Sequence, residues 1–194
     1  MPLHAEQRPS DWVRRFAPLV TPGARVLDLA CGGGRHTRLF AELGCTVVAV
    51  DREPRLDPDL RAHPRVDLRV ADLEQGPWPL TGEQFDAVVV TNYLHRPLFP
   101  HLLAALAPGA VLLYETFAVG NAAFGKPGNP AFLLAPRELL DAFAALRVIA
   151  FEDGYEDSPR PAMVQRIAAR GPAADGASRP DSVALRPGYD APRL

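Results

Sequence analysis

The chain has 194 residues, 47% hydrophobic and 23% charged, and carries a formal net charge of −2 at pH 7. That balance suits one globular domain able to bury a core. It offers no electrostatic case for nucleic acid or an anionic membrane as partner. Two cysteines, Cys31 and Cys45, form neither a disulfide framework nor a metal-spaced set. No run reaches the ~18 apolar residues of a membrane span, and "MPLHAEQRPSDWVRRF" lacks the apolar stretch of a signal peptide. A soluble, cytoplasmic protein without a bound metal is expected.

Ser10 has the place of an N-cap for a helix over "DWVRRFAPLV", whose early acid and later arginines suit the helix dipole. "TPG" ends it. Arg25 to Ala30 reads as a buried strand and "GGG" as a turn. "RHTRLFAELG" reads as a helix with Leu39, Phe40 and Leu43 on one face and Gly44 closing it. "CTVVAVD" is a second strand, ending in Asp51. Prolines break "REPRLDPDLRAHPR", which leaves room only for a short helix. "VDLRVAD" is a third strand, ending in Asp72, and Phe85 to Thr91 a fourth.

"PLFPHLLAAL" is a helix, "APGAVLLYETF" a loop running into a fifth strand, and "APRELLDAFAAL" a helix with Pro136 at its start. "RVIAFEDGYE" and "AMVQRIAAR" are two closing strands joined by a proline-containing loop. From Gly171 to Leu194 the composition turns to Pro, Gly, Ala, Ser and Asp without periodicity, and this segment reads as a disordered tail. Residues 1–170 are therefore expected to form one Rossmann-like α/β domain. It is a seven-stranded, mostly parallel sheet with an antiparallel edge strand and helices on both faces.

In such sheets ligands bind beyond the carboxyl ends of the strands, where Asp28, Asp51, Asp72 and Asn92 converge. The turn in "VLDLACGGGRHTRLF" has no Gly-Lys-Ser/Thr, which excludes a nucleoside-triphosphate loop. Counted from Gly32, the third glycine of a dinucleotide fingerprint falls on Thr37, so that pattern is incomplete. Asp28, an acid within the first strand, suits a cationic ligand group better than a pyrophosphate.

That stretch resembles the first motif of the class I S-adenosylmethionine-dependent methyltransferases, with Ala30 in place of the first glycine and Gly32 and Gly34 retained. The resemblance implies S-adenosylmethionine as cofactor and continues along the chain. Asp51 matches the acid that accepts both ribose hydroxyls, with Arg52 at the pocket edge. Asp72 matches the polar residue near the adenine amine, with Leu73 beside it. "TNYLHR" matches the motif that passes the methionine portion, Thr91 and Asn92, and then faces the acceptor. "YLHR" and "YETFAVGNAAFGKPGNPAFLLAPRELL" also resemble the small bacterial methyltransferases of the tellurite-resistance type.

Tyr93 and His95 follow the fourth strand and are the candidate catalytic residues, His95 as general base for a hydroxyl acceptor. Arg96, Glu115, Asn121 and Lys126 are candidates for the acceptor pocket or for a lid over "AVGNAAFGKPGNPAFLL", a segment too long and glycine-rich for a plain connection. Without a basic surface or an added recognition domain, the expected acceptor is a small molecule. Two rival readings stay open on sequence: a nicotinamide-dependent oxidoreductase, and a non-catalytic regulatory protein that binds S-adenosylmethionine.

Overall fold

Seven strands hydrogen-bond into one sheet: β1 (Arg25–Leu29), β2 (Thr46–Asp51), β3 (Val66–Val70), β4 (Phe85–Thr91), β5 (Leu106–Phe117), β6 (Arg147–Glu156) and β7 (Ala162–Arg170). They lie in the order β3-β2-β1-β4-β5-β7-β6 in a computed structural model that describes residues 8–173. All but β7 run parallel, and β7 is antiparallel to both of its neighbours. The reversed strand thus lies one place in from the edge, because the β6–β7 hairpin folds β7 back into the sheet beside β5. Beyond residue 173 the tail expected at 171–194 lies outside the described residues. At its start, Gly171 N–H donates to Ala110 O at 2.9 Å and Gly109 N–H to Pro172 O at 2.8 Å.

The β-branched runs of β1, β2 and β4 are buried on both faces, as parallel strands must be. One face packs Leu27, Val48, Val88, Leu112 and Tyr114 against α4 (Phe99–Ala105) and α5 (Glu138–Ala142). The other packs Val26, Val47, Val89 and Leu113 against α1 (Asp11–Phe16) and α2 (Arg35–Glu42). Ser10 caps α1, its hydroxyl accepting from Trp12 N–H at 3.1 Å and Val13 N–H at 3.3 Å. The short helix expected among the prolines is α3 (Pro58–Arg61), capped by Asp57.

Two helices differ from expectation. On α2 the buried residues are His36, Thr37, Phe40 and Ala41, and Leu43 is exposed. Polar side chains occupy that face because partners on β1 and β4 satisfy them. α5 is a single turn that begins at Glu138, two residues after Pro136. Arg137, at φ +63°, interrupts the run. Tertiary contacts replace the missing turn: Gln165 Oε1 accepts from Leu139 N–H at 2.7 Å, and its Nε2 donates to Ala135 O at 3.0 Å.

Candidate active site

Strand order reverses between β1 and β4, and a crevice opens there at the carboxyl ends. It holds a cavity of about 360 Å³, within the range of small-molecule sites. Ala30, Gly32 and Gly33 line it from the turn after β1, and Asp51, Arg52, Glu53 and Arg55 from the end of β2. Ala71, Asp72, Leu73 and Glu74 line it after β3, and Tyr93 after β4.

Both oxygens of Asp51 are held in place. Gly32 N–H donates to Oδ2 at 2.9 Å and Glu53 N–H to Oδ1 at 2.8 Å. Asp72 is fixed by the N–H groups of Glu74 and Gln75, both on Oδ1, at 2.9 and 3.1 Å. These bonds, that from Glu74 first, hold its carboxyl below the usual range. Its Oδ2 lies 3.8 Å from Arg52 Nη1. Two oriented carboxylates therefore face one cavity with lone pairs left to accept from hydroxyls and amines.

Two of the turn's donors are already engaged, Gly32 N–H on Asp51 and Gly34 N–H on Cys31 O at 2.8 Å. A pyrophosphate needs such groups turned outward, and it is repelled by carboxylates beside them. The donor set fits an uncharged nucleoside. Close approach is built in at two positions. Gly34, at φ +76°, packs so tightly that a Cβ would meet Leu60 at 2.7 Å, while Ala30 occupies the left-handed region at φ +55° despite its methyl group.

Residues 26–109 match the family described as a methyltransferase domain. The fold is that of the class I methyltransferases. The chain is 36% identical over 144 residues to the ubiquinone biosynthesis O-methyltransferase of Xanthomonas campestris, a match covering 70% of this chain and 52% of that protein. It thus spans about half the length of the curated relatives it matches. TehB from Haemophilus influenzae superposes with a TM-score of 0.65 at 17% identity, over 87% of this chain and 62% of TehB. The 1,6-didemethyltoxoflavin N1-methyltransferase of Burkholderia thailandensis, solved with S-adenosylhomocysteine, gives a TM-score of 0.60 at 23% identity, over 87% and 79% of the two chains.

On this methyltransferase fold, Asp28 stands behind the glycine turn rather than in the cavity wall. It accepts from Thr37 Oγ1 at 2.6 Å, and burial pushes its pKa up to about 6. Tyr93 closes the β4 side. Its Oη is buried near Glu74 without a hydrogen bond of sound geometry, which leaves a polar atom over at the wall, and burial raises its pKa. His95 is half-buried and close enough to Asp72 to favour its ionised form. Thr91 Oγ1 lies 3.3 Å from His36 Nδ1, away from the cavity lining, and Asn92 sits exposed at φ +55°.

Two of the four residues named for the acceptor side, Arg96 and Asn121, brace the long segment after β5. Arg96 reaches Glu138 at 2.6 and 2.9 Å, Ala131 O at 2.8 Å and Leu133 O at 2.9 Å. Asn121 is buried, its Nδ2 donating to Pro127 O at 3.0 Å and its Oδ1 accepting from Met163 N–H at 3.2 Å. Glu115, also buried, pairs with Arg166 at 2.7 Å. Lys126 is exposed on the segment's outer bend.

Sequence reasoning passed over Gly33, Glu53, Arg55, Ala71 and Glu74 in the lining. All but Arg55 are chain neighbours of named residues, so adjacency was the available signal for those four. His36 was also missed. Its partners, Ser10 and Thr91, are 26 and 55 residues away, and no spacing rule reveals them. Among the described residues no helix is long and apolar enough to cross a membrane.

Proposed function

We propose that the protein is an S-adenosylmethionine-dependent methyltransferase acting on a small molecule in the bacterial cytoplasm. The observation that carries this reading is the pair Asp51 and Asp72 facing one cavity while Gly32 and Gly34 in the turn keep their N–H groups engaged. In this assignment Asp51 accepts from the ribose hydroxyls and Asp72 from the adenine amine, with Leu73 beside the base and Arg52 at the edge. Ala30 and Gly32 admit the ligand close to the backbone, Gly34 lets the turn pack on Leu60, Asp28 stiffens the turn through Thr37, and Thr91 and Asn92 border the methionine end.

Bound S-adenosylmethionine supplies an electrophilic methyl group for in-line displacement. The chain's own work is alignment and exclusion of water. The matched Xanthomonas relative, by its name, supports an oxygen acceptor. His95 is then the residue that takes the hydroxyl proton, and Tyr93 forms the wall between donor and acceptor. The two buried free thiols, Cys31 and Cys45, suit a reducing compartment.

Calorimetric titration with S-adenosylhomocysteine and with NADH tests the reading. Saturable binding of the first and none of the second is expected. Asp51→Ala should weaken the first about a hundredfold, the worth of two hydrogen bonds to a charged acceptor. Equal affinity of the wild type and Asp51→Ala would remove the assignment.

A further inference from the structure

Tyr93 is held by its backbone rather than by its ring. The residue lines the cavity, yet its own Oη is buried without a hydrogen bond of sound geometry, so the head group does not fix it. Its carbonyl does, because Tyr114 Oη donates to Tyr93 O at 3.0 Å. One residue earlier, Asn92 N–H donates to Glu115 O at 2.9 Å, at a φ of +55° that turns the chain out of β4. Two consecutive residues of β5 thus hold the two residues that leave β4. Among the described residues, no other side chain bonds to the backbone of residues 92–95.

Tyr114 serves as a fixed point because it has little freedom of its own. It is 1% exposed. Its ring meets Phe99 edge-on at 6.1 Å and Phe143 tilted at 5.9 Å, and those two rings lie 5.4 Å from each other. Burial raises its pKa, so the phenol keeps its proton and remains a donor. It stands outside the cavity lining and reaches the cavity only through Tyr93. The far end of the same loop is fastened as well, by Arg96 on Glu138 at 2.6 and 2.9 Å. Tyr93 and His95 stand between the two fastenings.

We propose that Tyr114 is a positioning residue for the methyl donor: through Tyr93 it fixes the β4 wall of the cavity. The inference rests on the methyl-donor reading above. The role of the bond is preorganisation. A short loop between a strand and a helix samples several backbone states when nothing pins it, and a binding-competent state that is only fractionally populated lowers apparent affinity by that fraction. One hydrogen bond to a pinned carbonyl is enough to shift such a population severalfold.

Calorimetric titration of the full-length protein with S-adenosylhomocysteine, run below the melting temperature of every variant, tests this as a double-mutant cycle. Tyr114→Phe keeps the ring and its packing and removes the hydroxyl alone. It should weaken binding about three- to tenfold. Tyr93→Ala removes the wall, and adding Tyr114→Phe to it should cost less than about twofold more, since nothing is left to position. Equal affinity of the wild type and Tyr114→Phe overturns the proposal. The same loss on adding Tyr114→Phe in both backgrounds also overturns it, by giving Tyr114 a general structural role in place of one exerted through the wall. Both results leave the methyl-donor reading standing. A wild type that does not bind S-adenosylhomocysteine overturns that reading, and this proposal with it.

Discussion

His36 Nε2 accepts the backbone N–H of Ser10 at 3.1 Å, which ties the start of α1 to the first turn of α2. Nδ1 consequently carries the proton and faces Thr91 Oγ1 at the end of β4. One buried imidazole links three elements around the glycine turn. His36→Ala leaves a buried N–H and a hydroxyl unpaired beside a void and should cost about 2–4 kcal/mol in urea unfolding at pH 7. Burial lowers the His36 pKa to about 3, so the folded state refuses a proton that the unfolded chain accepts near pH 6.5. The stability this residue contributes is present above pH 6.5 and is lost as pH falls towards 3, by roughly 2 kcal/mol at pH 5. The gap between wild type and variant should therefore narrow at pH 5. A constant gap would show that the ring is not held neutral.

Asp28 titrates in the opposite sense. Its folded pKa is raised to about 6 by burial, so its contribution is most favourable below the unfolded value near 3.8 and is lost as pH rises through 6. Asp28→Asn keeps an oxygen for Thr37 and removes the buried charge. It should stabilise the fold, and the gain should grow by roughly 1–1.5 kcal/mol between pH 5 and pH 8. Thermal melts at the two pH values check this, and a gain independent of pH would contradict it.

Ala30 is strained where a glycine would not be. At φ +55°, the left-handed region costs a residue with a Cβ roughly 1–2 kcal/mol. Ala30→Gly should be neutral or stabilising by up to ~1 kcal/mol, after the entropy that glycine adds to the unfolded chain. The same change at Ala49, buried within β2, should cost about 1 kcal/mol or more. Equal losses at both positions would show that the turn carries no strain.

Arg96 braces the segment after β5 through a planar fork that lysine cannot copy. Because the side chain is substantially exposed, Arg96→Lys should leave global melting nearly unchanged. Amide exchange over residues 118–135 should accelerate about five- to thirtyfold, matching ~1–2 kcal/mol of lost local protection. Unchanged exchange there would show that the brace is redundant.

His95→Ala should lower turnover of a hydroxyl acceptor about a hundredfold, within the usual range for removal of a general base, while S-adenosylhomocysteine binds as before. Steady-state kinetics paired with calorimetry separate the two effects. A full rate in the variant would take His95 out of the chemistry.

Local pattern was enough for most of the fold. Alternating strands and helices, Ser10 as a cap, the proline-broken run before β3 and the acids at the ends of β2 and β3 all follow from neighbours within a few residues, where steric and hydrogen-bonding rules act. The order β3-β2-β1-β4-β5-β7-β6, with the reversed strand one place from the edge, came from packing. So did the polar face of α2, since His36 and Thr37 are buried only because Ser10, Thr91 and Asp28 meet them from distant parts of the chain. α5 shrank to one turn because Gln165, from β7, satisfies its first donors.

By itself the sequence determined the strand–helix alternation, the glycine turn and the strand-end acids, because periodicity and turn chemistry are properties of contiguous residues. Tertiary structure alone decided which charges neutralise one another: Arg96 with Glu138, and Glu115 with Arg166. Electrostatic pairing depends on distance in space, and partners as far apart as Arg96 and Glu138, 42 positions, carry no mark of it along the chain.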